Sequence, residues 1–256
     1  MIALTHKVSP KINQCELSNL SRKTIDFPLA QRQHQHYCQT LIKEGFRVIE
    51  LTVNLDFPDS VFIEDTAVVL DEVAILCNMG IPSRAGEVQN IAPILANFQK
   101  VMNINPPGTL EGGDVLIVDK NIYVGLSSRT NREGVRQFEE IVQEFEYGIS
   151  TIPIGDCLHL KSACTALDME TILINPEWID PSYFTEYAVV EIEKNEPYAA
   201  NCLNLNGNVY LPSAFPKTAE KIEKAGFPVN TINISELQKA EGALTCSSIL
   251  FKEIIS

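Results

Sequence analysis

One thiol, one imidazole and three carboxylates stand at comparable points of this chain: Cys246 in EGALTCSSILF, His159 in GDCLHLKSAC, Glu111 in TLEGGD, and the adjacent Glu64 and Asp65 in FIEDT. A thiol attacks as the thiolate, so it needs a base and a reason to ionise, and a carboxylate beside the imidazole fixes the ring and supports its cation. Together they make a Cys/His/carboxylate site. The acidic pair adds something else: two negative charges at a strand mouth are costly unless a positive group is held there, which points to a cationic guest. Plainer roles exist for each, Cys246 as core packing and Glu111 and Asp65 as turn acids. The remaining histidines, His6, His34 and His36, fall in a strand-like end and a polar helix, where packing or surface roles are expected.

The elements that must bring these groups together read as a repeated unit. From Glu64 an apolar run, a two-residue acidic turn and a second apolar run lead to the helical AGEVQNIAPILANFQ; from Gly112 the same order reads GGDVLIVDKNIYVGL and then REGVRQFEEIVQEF. A third copy begins at Leu160. A fourth begins at Ala199, with Asn206-Gly207 as the strongest hairpin turn and KTAEKIEKAG as the following helix. The fifth, LTCSSILF, ends as though its partner strand were the N-terminal IALTHKV, with a helix from Ala30 to Glu44 completing the unit. Equivalent positions, Thr66, Asp114, Ser162, Asn201 and Cys246, recur at roughly 40 to 50 residues, the range of propeller blades and other arrays. Such a unit cannot bury both its faces alone. Five are therefore expected around a common axis, each with a helix outside, and the polar residues that open the units then face that axis.

Composition narrows the class further. The 256 residues contain no Gly/Ser tract, charge block or low-complexity run, and the chain is read as a single catalytic domain over 1–256. A formal net charge of −13 argues against nucleic acid and anionic membrane surfaces as partners and favours small cationic ligands. No apolar run approaches the roughly 18 residues of a membrane span, and MIALTHKVSPKINQ turns polar too early for a secretory signal, so a cytoplasmic setting is expected. The seven cysteines, odd in number and without a CxxC pair, read as reduced thiols, and Cys157, His159 and Cys164 make only a weak metal-ligand set, so no metal is expected.

FIED at Phe62–Asp65 after PDSV, LEGGD at Leu110–Asp114, GLSSRTN at Gly125–Asn131, LHLKS at Leu158–Ser162, AANC at Ala199–Cys202 and LTCSS at Leu244–Ser248 resemble the dimethylarginine dimethylaminohydrolases. These belong to the guanidino-group-modifying superfamily, with arginine deiminases and amidinotransferases. The resemblance covers the whole length and implies the pentein fold, a five-bladed α/β propeller whose last blade is closed by the two terminal segments. It also implies hydrolysis of Nω-methylated arginine to citrulline and an amine, without a metal or organic cofactor. Carried over residue by residue, Cys246 is the nucleophile, His159 the general acid and base, and Glu111 its orienting partner. Glu64 and Asp65 hold the guanidinium, and Arg84 and Arg129 take the substrate carboxylate. Asp59 and a backbone carbonyl near Leu17 take its amino group, and Ala240 is a further substrate-binding position. Glu64, where deiminases and amidinotransferases carry Arg, and the LTCSS ending favour the dimethylargininases. Ala85 after Arg84, and Glu241 where the family has Asp or Gly, depart from the pattern. Competing readings are a deiminase acting on arginine or another substituted guanidine, and a non-catalytic binder of cationic amino acids. A lid between Glu16 and Phe27 and a homodimer are compatible with the resemblance.

Overall fold

Where the sequence places a turn residue with the right chemistry, the backbone uses it. Asn206 and Gly207 both take left-handed φ, 55° and 87°, which a two-residue hairpin link of type I′ requires. Helices begin where caps allow: Asp26 accepts a hydrogen bond from the Leu29 amide ahead of Pro28, and Asn131 accepts one from Gly134. The computed structural model describes residues 1–253.

The chain opens with β1 (Ile2–His6), α1 (Phe27–Lys43) and β2 (Arg47–Leu51). The next unit is β3 (Ala67–Val69), β4 (Val73–Leu76), α2 (Ala85–Leu95) and β5 (Lys100–Asn103), and it is followed by β6 (Val115–Val118), β7 (Asn121–Leu126), α3 (Arg132–Val142) and β8 (Gly148–Pro153). Then come α4 (Leu160–Ala163), β9 (Cys164–Ala166), β10 (Thr171–Ile174) and β11 (Ala188–Glu191), and after them β12 (Leu203–Leu205), β13 (Asn208–Pro212), α5 (Pro216–Lys224) and β14 (Val229–Ile232). The last elements are α6 (Ser235–Gln238) and β15 (Ile249–Phe251).

These strands form five three-stranded sheets of one pattern: a short first strand runs antiparallel to a central strand, which is parallel to the third. The ends of the chain make the fifth sheet together, with Ile2 opposite Phe251, Leu4 opposite Ile249, and β1 parallel to β2. The expected fifth partner strand is thus in place, and the expected helix over Ala30–Glu44 starts slightly earlier because its cap lies at Asp26. Central strands such as β4 and β10 are buried along their whole length, and α3 turns Val135, Phe138 and Val142 inward. Among the described residues no helix is long and apolar enough to cross a membrane.

One expectation fails. The third unit has no crossover helix; a 3-10 turn at Pro181–Phe184 joins β10 to β11 instead. Pro181 opens this turn, which Asp180 caps by accepting the Ser182 amide.

A second regularity sets up the chemistry. Just before its first strand, nearly every unit makes a single helical turn: Ile63–Thr66 before β3, Gly112–Asp114 before β6, α4 before β9, and Thr245–Ser247 before β15. The turn at Ile63–Thr66 packs on those at Gly112–Asp114 and Thr245–Ser247, and α4 packs on the turn at Gly112–Asp114. Side chains far apart in sequence meet there.

Candidate active site

His159 caps α4, and its Nε2 lies 2.8 Å from Oε2 of Glu111, itself fully buried. The other Glu111 oxygen accepts the Gly80 amide at 3.0 Å and lies 3.7 Å from Nη1 of Arg129. On the far edge of the imidazole, Nδ1 stands 3.8 Å from Oδ1 of Asp65. Gly113 makes this approach possible, because a Cβ there would sit 2.7 Å from both that oxygen and Nδ1. Asp114 completes the surround: it accepts the Leu160 amide at 2.9 Å and the hydroxyls of Ser127 and Thr130 at 2.6 and 2.7 Å. Burial alone would lower the His159 pKa, but Asp65, Asp114 and Glu111 outweigh it and hold it at about 9. In the free protein the ring is therefore an imidazolium near neutral pH.

The acidic pair divides its work. Glu64 accepts Nζ of Lys161 at 2.5 Å and the Thr245 hydroxyl at 2.7 Å, so it is tied to the residue beside Cys246. Burial raises its pKa, with Lys161 opposing. Asp65 accepts Nη1 of Arg84 at 2.6 Å and the Gly113 amide at 3.1 Å, and its pKa is lowered: burial opposes ionisation, but His159 and Arg84 prevail. Cys246 lies in the Thr245–Ser247 turn and stays partly exposed. Burial, then Glu64 and Asp65, push its thiol up to about 12, against the Ala243 amide and Lys161. The resting pair is thiol and imidazolium. Bringing a cation between the thiol and the two carboxylates reverses the balance and favours the thiolate.

The other candidate residues lie around this centre. Asp59 is buried, accepts the Glu16 amide through both oxygens at 3.2 Å, and has its pKa raised to about 6, chiefly by burial and against Arg84. Leu17 follows Glu16 and packs half-buried on an apolar cluster, and Ala240 is buried beside Glu241. Arg129 donates to the Ser18 hydroxyl at 3.1 Å. Arg84 is more committed than its expected role at a substrate carboxylate implies. It reaches Asp65, both oxygens of Glu87 at 3.1 and 3.0 Å, and the Phe62 carbonyl at 2.8 Å, which leaves one N–H on Nη1.

Sequence reasoning passed over Lys161, Glu87 and a role for Asp114. The signals were present: Lys161 sits two residues after His159, Glu87 lies one helical turn beyond Arg84, and Asp114 occupies the repeat position equivalent to Cys246. Among the described residues, Asp59, Glu64, Asp65, Glu87, Glu111 and Asp114 are thus met by the permanent cations Arg84, Arg129 and Lys161. That surplus of buried negative charge explains the His159 imidazolium and suits a cationic ligand.

Asp65, Glu111 and His159 also present ligand atoms within 4.8 Å of one another, close enough to chelate a divalent ion, although the Arg84 and Glu111–His159 contacts already occupy them. The weak set Cys157, His159 and Cys164 is not brought together: both thiols donate to backbone carbonyls, Cys157 to His159 and Cys164 to Leu160. No disulfide is present among the described residues, and Cys15, Cys38, Cys77, Cys164 and Cys202 are buried.

Residues 8–247 match the family described as N,N dimethylarginine dimethylhydrolase, eukaryotic. The chain is 35% identical over 228 residues, 88% of its length and 90% of the relative, to N(G),N(G)-dimethylarginine dimethylaminohydrolase of Pseudomonas aeruginosa. It is 34% identical over 255 residues to the enzyme of that name from Streptomyces coelicolor, covering 98% of this chain and 97% of the other. The Pseudomonas aeruginosa structure of a Cys-to-Ser mutant complexed with citrulline superposes with a TM-score of 0.93 at 31% identity, over 97% of this chain and 98% of that one. An arginine dihydrolase domain from cyanobacteria, 20% identical, shares the fold with a TM-score of 0.86 over 96% of each chain.

Proposed function

The chain belongs to the dimethylarginine dimethylaminohydrolase family, and from that premise we propose that it hydrolyses Nω-methylated arginine to citrulline and methylamine or dimethylamine. The observation that carries the reading is the geometry of the charged groups: His159 bonds Glu111 at 2.8 Å with Asp65 3.8 Å from its other ring nitrogen, and Glu64 accepts the hydroxyl of Thr245, the neighbour of Cys246, at 2.7 Å.

Binding of the guanidinium against Glu64 and Asp65 releases the Cys246 proton to solvent, and the thiolate adds to the guanidinium carbon. His159 then gives its proton to the departing amine, which could not leave as an amide anion, and a cationic S-alkylthiouronium remains on Cys246. Neutral His159 takes a proton from water as that water adds to the same carbon. Collapse of this adduct breaks the C–S bond, sends the hydroxyl proton to solvent and restores thiolate, imidazolium and citrulline. Glu111 holds the ring throughout and supports its cationic stages. Asp59 and the Leu17 carbonyl take the substrate ammonium, with Ala240 lining the same end, while Arg129 and the last free N–H of Arg84 take the carboxylate. Arg84 then does two jobs, since it also fixes Asp65. We read the five sheets as blades of a closed propeller forming one catalytic domain, because β15 packs on β3 and the fifth sheet joins both ends of the chain.

The test is citrulline formation from asymmetric dimethylarginine, monomethylarginine and arginine, with Cys246→Ser as control. Methylated substrates are expected to turn over and the control to be silent. No citrulline from any of the three would sink the reading, and faster turnover of arginine would move it to a deiminase.

A further inference from the structure

Outside the reaction centre, α1 and the strands beneath it gather a second set of groups that can ligate a metal. β1 and β2 run parallel with Thr5 opposite Glu50, two residues on from Ala3 opposite Val48, so all four side chains share one face of the sheet. α1 packs on that face, where its Tyr37, Cys38 and Leu41 join Ala3 and Val48 in one apolar cluster. His34 and Cys38 stand one helical turn apart on the buried side of α1. Nε2 of His34 lies 3.6 Å from Sγ of Cys38, and ligand atoms of His34, Cys38 and Glu50 all lie within 4.8 Å of one another.

Spacing and chemistry both fit an ion. Zinc bonds of about 2.0–2.1 Å to imidazole nitrogen and about 2.3 Å to sulfur, set at the tetrahedral angle, put the two ligand atoms about 3.5–3.6 Å apart. The His34–Cys38 pair already has that separation. The imidazole is otherwise poorly satisfied: it is 2% exposed, its Nδ1 has no hydrogen-bond partner, and its Nε2 meets a thiol, a weak donor. Burial, with His6 adding to it, lowers the His34 pKa to about 4, so the ring is neutral and has a lone pair to give. His6 is itself committed, with Nδ1 at the Lys7 carbonyl and Nε2 accepting the Asn54 amide. Glu50 is free to move in, because its one-third exposed side chain meets Lys7 at 3.7 Å in a surface pair of small worth.

We propose that His34, Cys38 and Glu50 form a binding site for a zinc-like divalent cation, with water as the fourth ligand. On binding, Cys38 gives its proton to solvent, and the thiolate, Nε2 of His34 and a Glu50 oxygen bond the metal. Thiolate and carboxylate together supply two negative charges, which a divalent ion neutralises, and the thiolate–imidazole pair selects zinc or cobalt over magnesium or calcium. The ion ties α1 to β2, in the sheet where β1 pairs with β15. It takes no part in the hydrolysis above and does not depend on it.

The full chain carrying Cys246→Ser, which removes the thiol of the reaction centre, would be titrated with Co²⁺ and then with Zn²⁺ in competition. Co²⁺ is expected to give a sulfur-to-cobalt charge-transfer band in the near ultraviolet, to saturate near one equivalent and to be displaced by Zn²⁺, whereas excess Mg²⁺ leaves the band unchanged. Adding Cys38→Ser should abolish the band. Adding Glu50→Gln instead, at a position too exposed to endanger folding, should keep the band but weaken Zn²⁺ binding by at least about tenfold, the loss that even an outer partner of a metal ligand produces. A chain without the band in the Cys246→Ser background would overturn the proposal and assign any metal bound by the unmodified protein to the reaction centre. A band that survives Cys38→Ser, or a Zn²⁺ affinity unchanged by Glu50→Gln, would overturn it as well.

Discussion

Asp65, Asp114 and Glu111 together set the protonation state of His159 on which the proposed chemistry turns. With a folded pKa of about 9 against 6.5 for the free side chain, His159 stabilises the fold fully below pH 6.5, and this contribution is lost as pH rises through 9. In Glu111→Gln the ring loses a negative neighbour and its strongest acceptor. Its pKa, read by NMR of the imidazole, is expected to fall by at least about one unit, the alkaline limb of the rate profile to move down with it, and kcat to drop by about 10²–10⁴. An unshifted titration would show that Asp65 and Asp114 set the value alone. Lys161 acts on the other half of the pair. Lys161→Met leaves Glu64 buried without its cation, which should lower stability by about 3 kcal/mol in denaturant titration. It also removes a positive charge from the thiol, so iodoacetamide should modify Cys246 more slowly at a given pH. Unchanged melting and alkylation would remove Lys161 from the site.

At the scale of elements, the segment around Ser18–Leu20 is gathered by one carboxylate. Glu241, at φ +60°, accepts three successive amides of the chain, Ser18 at 2.9 Å, Asn19 at 2.6 Å and Leu20 at 2.5 Å, a concave arrangement suited to an anion. The same segment carries Glu16, bonded to Asp59, and Ser18, bonded to Arg129. Glu241→Ala keeps the backbone constraint but loses the acceptor. Charge-assisted hydrogen bonds of this kind are worth about 1.5–3 kcal/mol, so exchange of the three amides should rise at least about tenfold, with KM rising and the rest of the exchange map unchanged. Unaltered exchange at these amides would mean that Asp59 and Arg129 hold the segment without it. The Glu241 anchor was not legible in the sequence, where this residue stands more than two hundred residues from its partners and registers only as a departure from a family pattern. Hairpins and helices were legible because their determinants are local: Asn206-Gly207 for one turn, the Asn131 cap and the Val135, Phe138, Val142 face for α3. The third crossover misled for the opposite reason: the repeat implied a helix where the chain makes only a 3-10 turn. In the site, Cys246, His159 and Glu111 could be picked out by type and place, whereas Lys161 and Glu87 became visible only once tertiary contacts showed which carboxylates they neutralise.

For the molecule as a whole, the fifth sheet decides whether the nucleophile is held in place. Cys246 precedes β15 by a single turn, and among the described residues β15 pairs with β1 alone while packing on β3. Ile2, Leu4, Ile249 and Phe251 are buried across that seam, each apolar chain worth about 2–5 kcal/mol on truncation in a packed core. If five like units close a ring, the seam between the chain ends is physically no different from any hairpin within a unit, and the break in the chain can be moved. A circular permutant joining the ends of the described chain by a short flexible linker, and opened between Gly226 and Phe227, tests this. Gly226 is exposed at φ +99°, between α5 and β14, and contributes no side chain to the core. The permutant is expected to fold, to retain citrulline formation, and to melt roughly 3–10 °C lower, the shift that a loss of about 1–3 kcal/mol produces in a domain of this size. Deleting residues 1–6 instead removes β1, leaves β15 unpaired, and should abolish both cooperative melting and activity. An unfolded permutant, or an active deletion, would show that the two ends do not form a blade equivalent to the other four.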